Sequence, residues 1–268
     1  MELKIYSVKN EQKSTLKLPE QFSEVIRPDL IKRAVLAQQN NTRQPYGAHP
    51  RAGKRHSTKL SRRRRNYKGS YGLGISRVPR KVLSRHGTRM KWVGAMAPGT
   101  VGGRRANPPK SDKIWAQKIN KKEKRKAIRS AITATINKEV VEKRGHVAPN
   151  HYPFIIEESF EKITKTKDVV SALNALGLEN ELSRADNKTI RSGHGKFRGR
   201  KYKKSKGPLI VVSDKCSASK AAKNIPGVDI IPVKSLNAEL LAPGCVPGRL
   251  TIWTEGAVKA LEKEKLFM

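Results

Sequence analysis

The sequence predicts an α/β protein: a three-layer sandwich around a mainly parallel sheet, with a long irregular basic loop extending from it. Three observations carry that expectation. The C-terminal half alternates short apolar runs with segments of helical period, the pattern of crossover-connected parallel strands. One run, Leu209-Ile210-Val211-Val212, is continuously apolar, which suits a strand buried on both faces. Between Asp29 and Asp112, 82 consecutive residues hold 21 Lys or Arg and not one carboxylate. Such a field repels itself and resists compaction, so its anions must come from a partner.

The elements are taken in chain order. Leu3, Ile5 and Ser7 alternate with Glu2, Lys4 and Tyr6, and Leu16 and Leu18 repeat the period, which predicts a short β pair. Pro19 and Pro28 stand where each can open a helix at its first position. Leu30, Ile31, Ala34, Val35 and Gln38 give helical spacing to about Asn41. Periodicity then vanishes. Residues 42–111 contain ten glycines and six prolines, with Tyr46, Tyr67, Tyr71, Met90, Trp92 and Met96 spaced among the cations. A solvated tail has little use for large side chains, whereas a segment packed on bases and riboses does. Doubled back as a hairpin, about 35 residues each way reach at most roughly 110 Å.

Order resumes at Asn120, which has capping-box spacing to Glu123. Ala127, Ile128, Ala131, Ile132, Ile136 and Val140 then line one face of a helix ending near Gly145. Its first turn crowds Lys121, Lys122, Lys124, Arg125 and Lys126 against the positive end of the macrodipole, which favours an anion there. Residues 154–156 read as a strand, and Val169, Val170, Leu173 and Leu176 as a helix closed by Gly177. After the 209–212 strand come an Ala-rich helix stopped by Pro226-Gly227, strands over 228–233 and 250–253, and a last helix capped by Thr254. A second basic island, residues 187–213, carries nine Lys or Arg and no acid, just before the most buried strand.

Composition narrows the function. The formal charge of +36 is concentrated in the acid-free window, which leaves +15 on the other 186 residues. Cys216 and Cys245 lack metal-type spacing and are expected as reduced thiols. No apolar run approaches the ~18 residues a membrane span requires. With no signal-type N-terminus either, a soluble intracellular protein is expected. The 193–199 string GHGKFRG precedes a strand where a dinucleotide fingerprint would come after one, so no nucleotide cofactor is expected. The six histidines lack metal-site spacing. Phosphoryl-transfer enzymes cluster carboxylates to hold Mg²⁺, yet both basic islands are acid-free, and Asp214 at a strand end is better explained as a helix cap. Folded RNA fits the mixture of Arg, Gly and single aromatics better than duplex DNA, for which no recognition helix is apparent. A DNA-compacting protein and an RNA-modifying enzyme remain the alternatives.

Five strings carry a resemblance: SRVPR (76–80), VGGRRANPP (101–109), NKKEKRKAIRSAI (120–132), RADNKTIRSGHGKFRGRKYK (184–203) and LAPGCVPGRLTIWTEGA (241–257). Together they resemble the large-subunit ribosomal protein four family in its archaeal–eukaryotic branch, at a length that suits an archaeal member. The resemblance spans essentially the whole chain. It implies a non-enzymatic cytoplasmic ribosomal constituent without cofactors. Its globular domain (1–41 and 112–268) would carry an rRNA-penetrating loop (42–111) that helps line the peptide exit tunnel beside ribosomal protein twenty-two. The expected rRNA contacts in the loop are Arg43, Arg51, Lys54, Arg55, Lys59, Arg62, Arg63, Arg64, Arg65, Lys68, Arg77, Arg80, Lys81, Arg85, Arg89, Lys91, Trp92, Arg104 and Arg105. On the globular surface they are Lys121, Lys122, Lys124, Arg125, Arg191, Lys196, Arg198, Arg200, Lys201, Lys203 and Lys204. Arg77, Arg80, Arg85 and His86 are the expected tunnel-proximal residues.

Overall fold

A computed structural model describes residues 1–87 and 89–268 and divides the chain into two units: residues 1–42 with 116–268, and residues 43–115. In the first, strands β1 (Glu2–Tyr6) and β2 (Gln12–Lys17) form the expected antiparallel pair. Leu3 and Ile5 point inward, the period-2 signature of a strand with one buried face. Helix α1 (Pro28–Thr42) begins at Pro28, whose missing N–H is one that a first turn leaves unpaired anyway. Pro19 opens no α-helix; it sits one position before a 3-10 turn at Glu20–Phe22.

The second unit departs from the irregular loop expected over 42–111. It contains an antiparallel hairpin, β3 (Arg80–His86) and β4 (Arg89–Gly94). A register shift between Val82 and Ser84 breaks the alternation of β3, while β4 keeps a short period of two, with Met90 and Trp92 on the more buried face.

Back in the first unit, α2 (Lys121–Ile136) buries Ala127, Ile128, Ala131 and Ile132 as predicted. It does not run to Gly145. The Asn137 side chain accepts from the amides of Glu139 and Val140 and starts α3 (Lys138–Lys143), which resets the phase so that Val141 is buried where Val140 was expected. The capping box is also absent. Asn120 makes no side-chain cap, and Glu123 pairs with Arg33 at 2.9 Å. Then come β5 (Ile155–Ile156), α4 (Thr166–Ala175), α5 (Glu179–Asp186), and an exposed hairpin of β6 (Lys188–Ile190) and β7 (Tyr202–Lys204). The chain closes with β8 (Leu209–Val212), α6 (Ser217–Ala222), β9 (Asp229–Pro232), α7 (Ala238–Leu241), β10 (Thr251–Thr254) and α8 (Glu255–Lys263).

The main sheet has the order β2-β1-β5-β10-β8-β9, parallel throughout except for β1 against β2. Alternate residues of one strand feed different cores. Leu209, Val211, Ile155 and Trp253 pack with α1, α2 and α8, while Ile210, Val212, Ile156 and Ile252 pack with α4 and α6. Burial on both faces is why β8 reads as a continuous apolar run, while β10 buries Thr251 and Thr254 along with Ile252 and Trp253.

Candidate nucleic-acid interface

The insertion leaves and rejoins the first unit at Asn41 and Gln117, which exchange two hydrogen bonds: the Gln117 amide to Asn41 Oδ1 at 2.8 Å, and Asn41 Nδ2 to the Gln117 carbonyl at 3.3 Å. Within the second unit, Arg43 lies 3.7 Å over the Trp115 ring, and Tyr46 stacks on the same indole at 5.9 Å. The outgoing and returning chains then run side by side, with the Ala48 amide bonded to the Pro109 carbonyl. Gly53 permits this approach: a Cβ there would stand 2.5 Å from Arg104 backbone, at φ +71°.

Along the neck and beyond it, most of the cations face outward. Arg43, Arg51, Lys54, Arg55, Lys59, Arg62, Arg63, Arg64, Arg65, Arg77, Arg85, Arg89, Lys91 and Arg105 are exposed, as is His86; Lys68, Lys81, Trp92 and Arg104 are half-buried. Among the described residues, no cation of the insertion forms an ion pair with a carboxylate. Several lie on aromatic faces instead: Arg77 on Tyr71 at 4.3 Å, and Arg85 on Tyr67 at 5.3 Å. Arg80 differs from the rest. It is 8% exposed and donates to the Val78 carbonyl and Ser76 Oγ, 5.3 Å from the Trp92 ring centre. Its guanidinium braces the start of the β3–β4 hairpin and is turned away from solvent.

The first unit presents two further basic surfaces. At the start of α2, Lys121, Lys122, Lys124 and Arg125 are exposed, and Arg125 donates to the Met268 main-chain oxygen. The β6–β7 hairpin exposes Lys196, Arg198, Arg200, Lys201, Lys203 and Lys204, with Arg191 half-buried.

The root of that hairpin is locked by buried charge that sequence reasoning missed. Glu181, wholly buried, accepts from Arg184 through both oxygens (2.7 and 2.8 Å), from the Val147 amide, and pairs with His146 Nδ1 at 2.6 Å. Burial pushes the Glu181 carboxyl upward, but the bonds from Arg184, His146 and Val147 outweigh it and hold it below the usual carboxylate range. Arg184 passes on to the Lys206 carbonyl. Arg249, also fully buried, donates to the Gly207 carbonyl at 3.0 Å and to Asp229 at 2.6 Å. Burial first, and then the nearby Arg249 and Arg184 charges, bring Arg144 down to about 10. The readable signal was Arg249 itself, a lone cation between Gly248 and the apolar 250–253 run: a charge entering a buried strand needs a partner.

Asp214 does not cap α6. Its Oδ1 accepts from the Lys215 amide, and the capping position belongs to Cys216, which makes no side-chain bond. Glu161 takes the structural role at this strand end. Its carboxylate accepts from the Ser213 amide (2.9 Å), Ser213 Oγ (2.5 Å) and Thr254 Oγ1 (2.6 Å), tying the ends of β8 and β10 together. This is the point where strand order reverses and where doubly wound sheets bind ligands. Here its donors are taken by the chain's own carboxylate. Both cysteines are free, and among the described residues no three His, Cys, Asp or Glu side chains gather as for a metal. Among the same residues, no helix is long and apolar enough to cross a membrane.

The family model for the ribosomal protein L4/L1 family matches residues 16–264, which include all three basic surfaces. The chain belongs to the ribosomal protein L4/L1 family. Curated relatives in this family include the large ribosomal subunit protein uL4 of Nanoarchaeum equitans, 49% identical over 268 residues and covering 100% of both chains. The protein of the same name from Archaeoglobus fulgidus is 47% identical over 97% of this chain and 98% of its own. That from Methanocaldococcus jannaschii is 46% identical over 98% and 99%. Membership of the L4/L1 family at this coverage bears out the resemblance read from the five sequence strings, and with it the non-enzymatic character expected of the chain.

Proposed function

We propose that this chain is a structural constituent of the large ribosomal subunit that binds large-subunit rRNA. On this reading the globular domain, 1–41 with 112–268, is a three-layer α/β body, and residues 42–111 form its long basic arm. The observation that carries the proposal is the uncompensated charge of the arm on a chain of the L4/L1 family: exposed guanidinium and ammonium groups with no internal carboxylate to meet. Phosphates converging in folded RNA supply those anions, and binding releases the counterions condensed on them. With half of the window's 21 cations engaged, log affinity falls with log salt at a slope of roughly −7 to −9.

The surfaces divide the work. The arm threads between RNA segments, and its outer part, with Arg77, Arg85 and His86, faces the peptide exit tunnel beside ribosomal protein twenty-two. Arg80 supports that part from within. The lysine-lined start of α2 receives a phosphate at the positive end of its dipole, and the β6–β7 hairpin grips RNA from the body.

Gradient sedimentation of a cell lysate tests this. The chain should travel stoichiometrically with large subunits and survive a moderate salt wash; finding it at the top of the gradient would refute the proposal. Competition between rRNA and duplex DNA at physiological salt separates a DNA-compacting protein, which would bind the two alike.

A further inference from the structure

We infer that the crown of the β6–β7 hairpin is a base-stacking site, in which the Phe197 ring takes an unpaired base of the RNA. The inference rests on the rRNA reading above and gives it one specific contact.

Phe197 is 81% exposed, within a 3-10 turn, His194–Arg198. Lys196 lies 5.3 Å from the ring centre, and the ring remains open to solvent all the same. The turn that presents it is well built. Gly199 takes a left-handed conformation (φ +76°) that few other residues adopt, and its amide bonds the Gly195 carbonyl. The Arg200 amide bonds that same carbonyl. Arg191 closes the stem, its amide on the Lys201 carbonyl and its Nε on the Arg200 carbonyl, while its aliphatic chain crosses directly over Gly195. At the root, Arg184 and Arg249 hold the Lys206 and Gly207 carbonyls. The aromatic is therefore held outward on a braced stem, with little ordering left to do on binding.

The surroundings select the occupant. The register sets Lys188 opposite Lys204, like charges across a ladder, which is favourable only with an anion between or beside them. Next to them the exposed Ile190 and Tyr202 face each other. Residues 187–213 contain no acid, and among the described residues the cations from Lys188 to Lys204 pair with no carboxylate. An exposed aromatic with one cation at its face, on a hairpin whose cations meet no carboxylate, matches one chemistry: a stacked base with phosphates nearby. A base still paired within a helix offers no free face, so the target is a loop, bulge or splayed nucleotide.

The test uses the full-length chain and protein-free large-subunit rRNA, measuring affinity and its salt dependence for Phe197→Ala, Phe197→Leu and Phe197→Trp. Loss of one stacked base should weaken binding roughly 5- to 150-fold in the Ala variant. The Leu variant should be similarly weak, Trp should restore binding, and the salt slope should stay unchanged in all three. Arg198→Ala, by contrast, should change the slope by about 0.7–0.9. An indifferent Ala variant alongside normal wild-type binding would remove the stacking site and leave the rRNA reading intact. Rescue by Leu equal to that by Trp would mean simple apolar packing and would also overturn the proposal. Wild-type protein that fails to bind rRNA would remove both. Phe197 is too exposed for these changes to unfold the chain, and unchanged melting temperatures would confirm it.

Discussion

Arg62, Arg63, Arg64 and Arg65 are four consecutive exposed cations with no carboxylate partner among the described residues, and they isolate the electrostatic claim. The informative variant is Arg62→Ala, Arg63→Ala, Arg64→Ala and Arg65→Gly; glycine suits the last because Arg65 has φ +52°. Each lost phosphate contact should remove about 0.7–0.9 from the salt slope, so the four together remove about 3 to 4. From 50 to 200 mM salt the wild type should then lose about four to five powers of ten in affinity, and the variant about three. Filter binding to protein-free rRNA across that range reads both. The melting temperature of the free protein should stay within about 2 °C, since exposed substitutions rarely matter to stability. An unchanged slope, or a large fall in melting temperature, would refute the reasoning: the arginines would then be structural.

Glu181→Ala should leave His146 and Arg184 without their buried anion, a loss of about 3–5 kcal/mol, which corresponds to a fall of roughly 6–20 °C in a melting scan; a shift under ~2 °C would contradict the network's role. The same carboxyl sets a pH dependence. Its folded value lies below its ordinary 4.5, so its stabilisation is complete above about pH 4.5 and is lost as pH falls through the depressed value. Glu181→Gln should flatten the acid limb of the stability curve, and an unaltered limb would argue against it. Gly53→Ala should force the neck of the insertion apart, because the new Cβ meets backbone at 2.5 Å with a left-handed φ. Hydrogen exchange at the Ala48 amide, bonded across the neck to Pro109, should accelerate, and unchanged exchange would show that the return strand yields freely.

Much of the fold was legible because burial on two faces leaves a strong mark. The Leu209–Val212 strand, the α2 face from Ala127 to Ile132 and the Thr254 cap each stand where the residue pattern put them. What failed were signals with competing uses. Asn120 and Glu123 have the spacing of a cap, but Arg33 lies close enough to claim the carboxylate, and that lies 90 positions away in sequence. Asn137 reads as a polar residue in the middle of one helix, yet its side chain caps the start of α3. The Glu181 and Arg249 network joins residues from 146 to 249, so no local window contains it. In the candidate interface, charge marked the exposed cations well but could not separate Arg80. Ionic residues look alike in a sequence, and only packing against Trp92 sets that one apart.

The position of β10 in the sheet has a consequence for how the protein is made. Synthesised after every other strand, it nevertheless lies in the middle, between β5 and β8. Until residues 251–254 leave the ribosome, the nascent polypeptide is two sheet fragments with raw inner edges, while its cationic insertion is already out and open to any polyanion. A cell making this protein should need to shield that insertion before the body closes, and truncation just ahead of Thr251 should yield an aggregating chain rather than a smaller folded one.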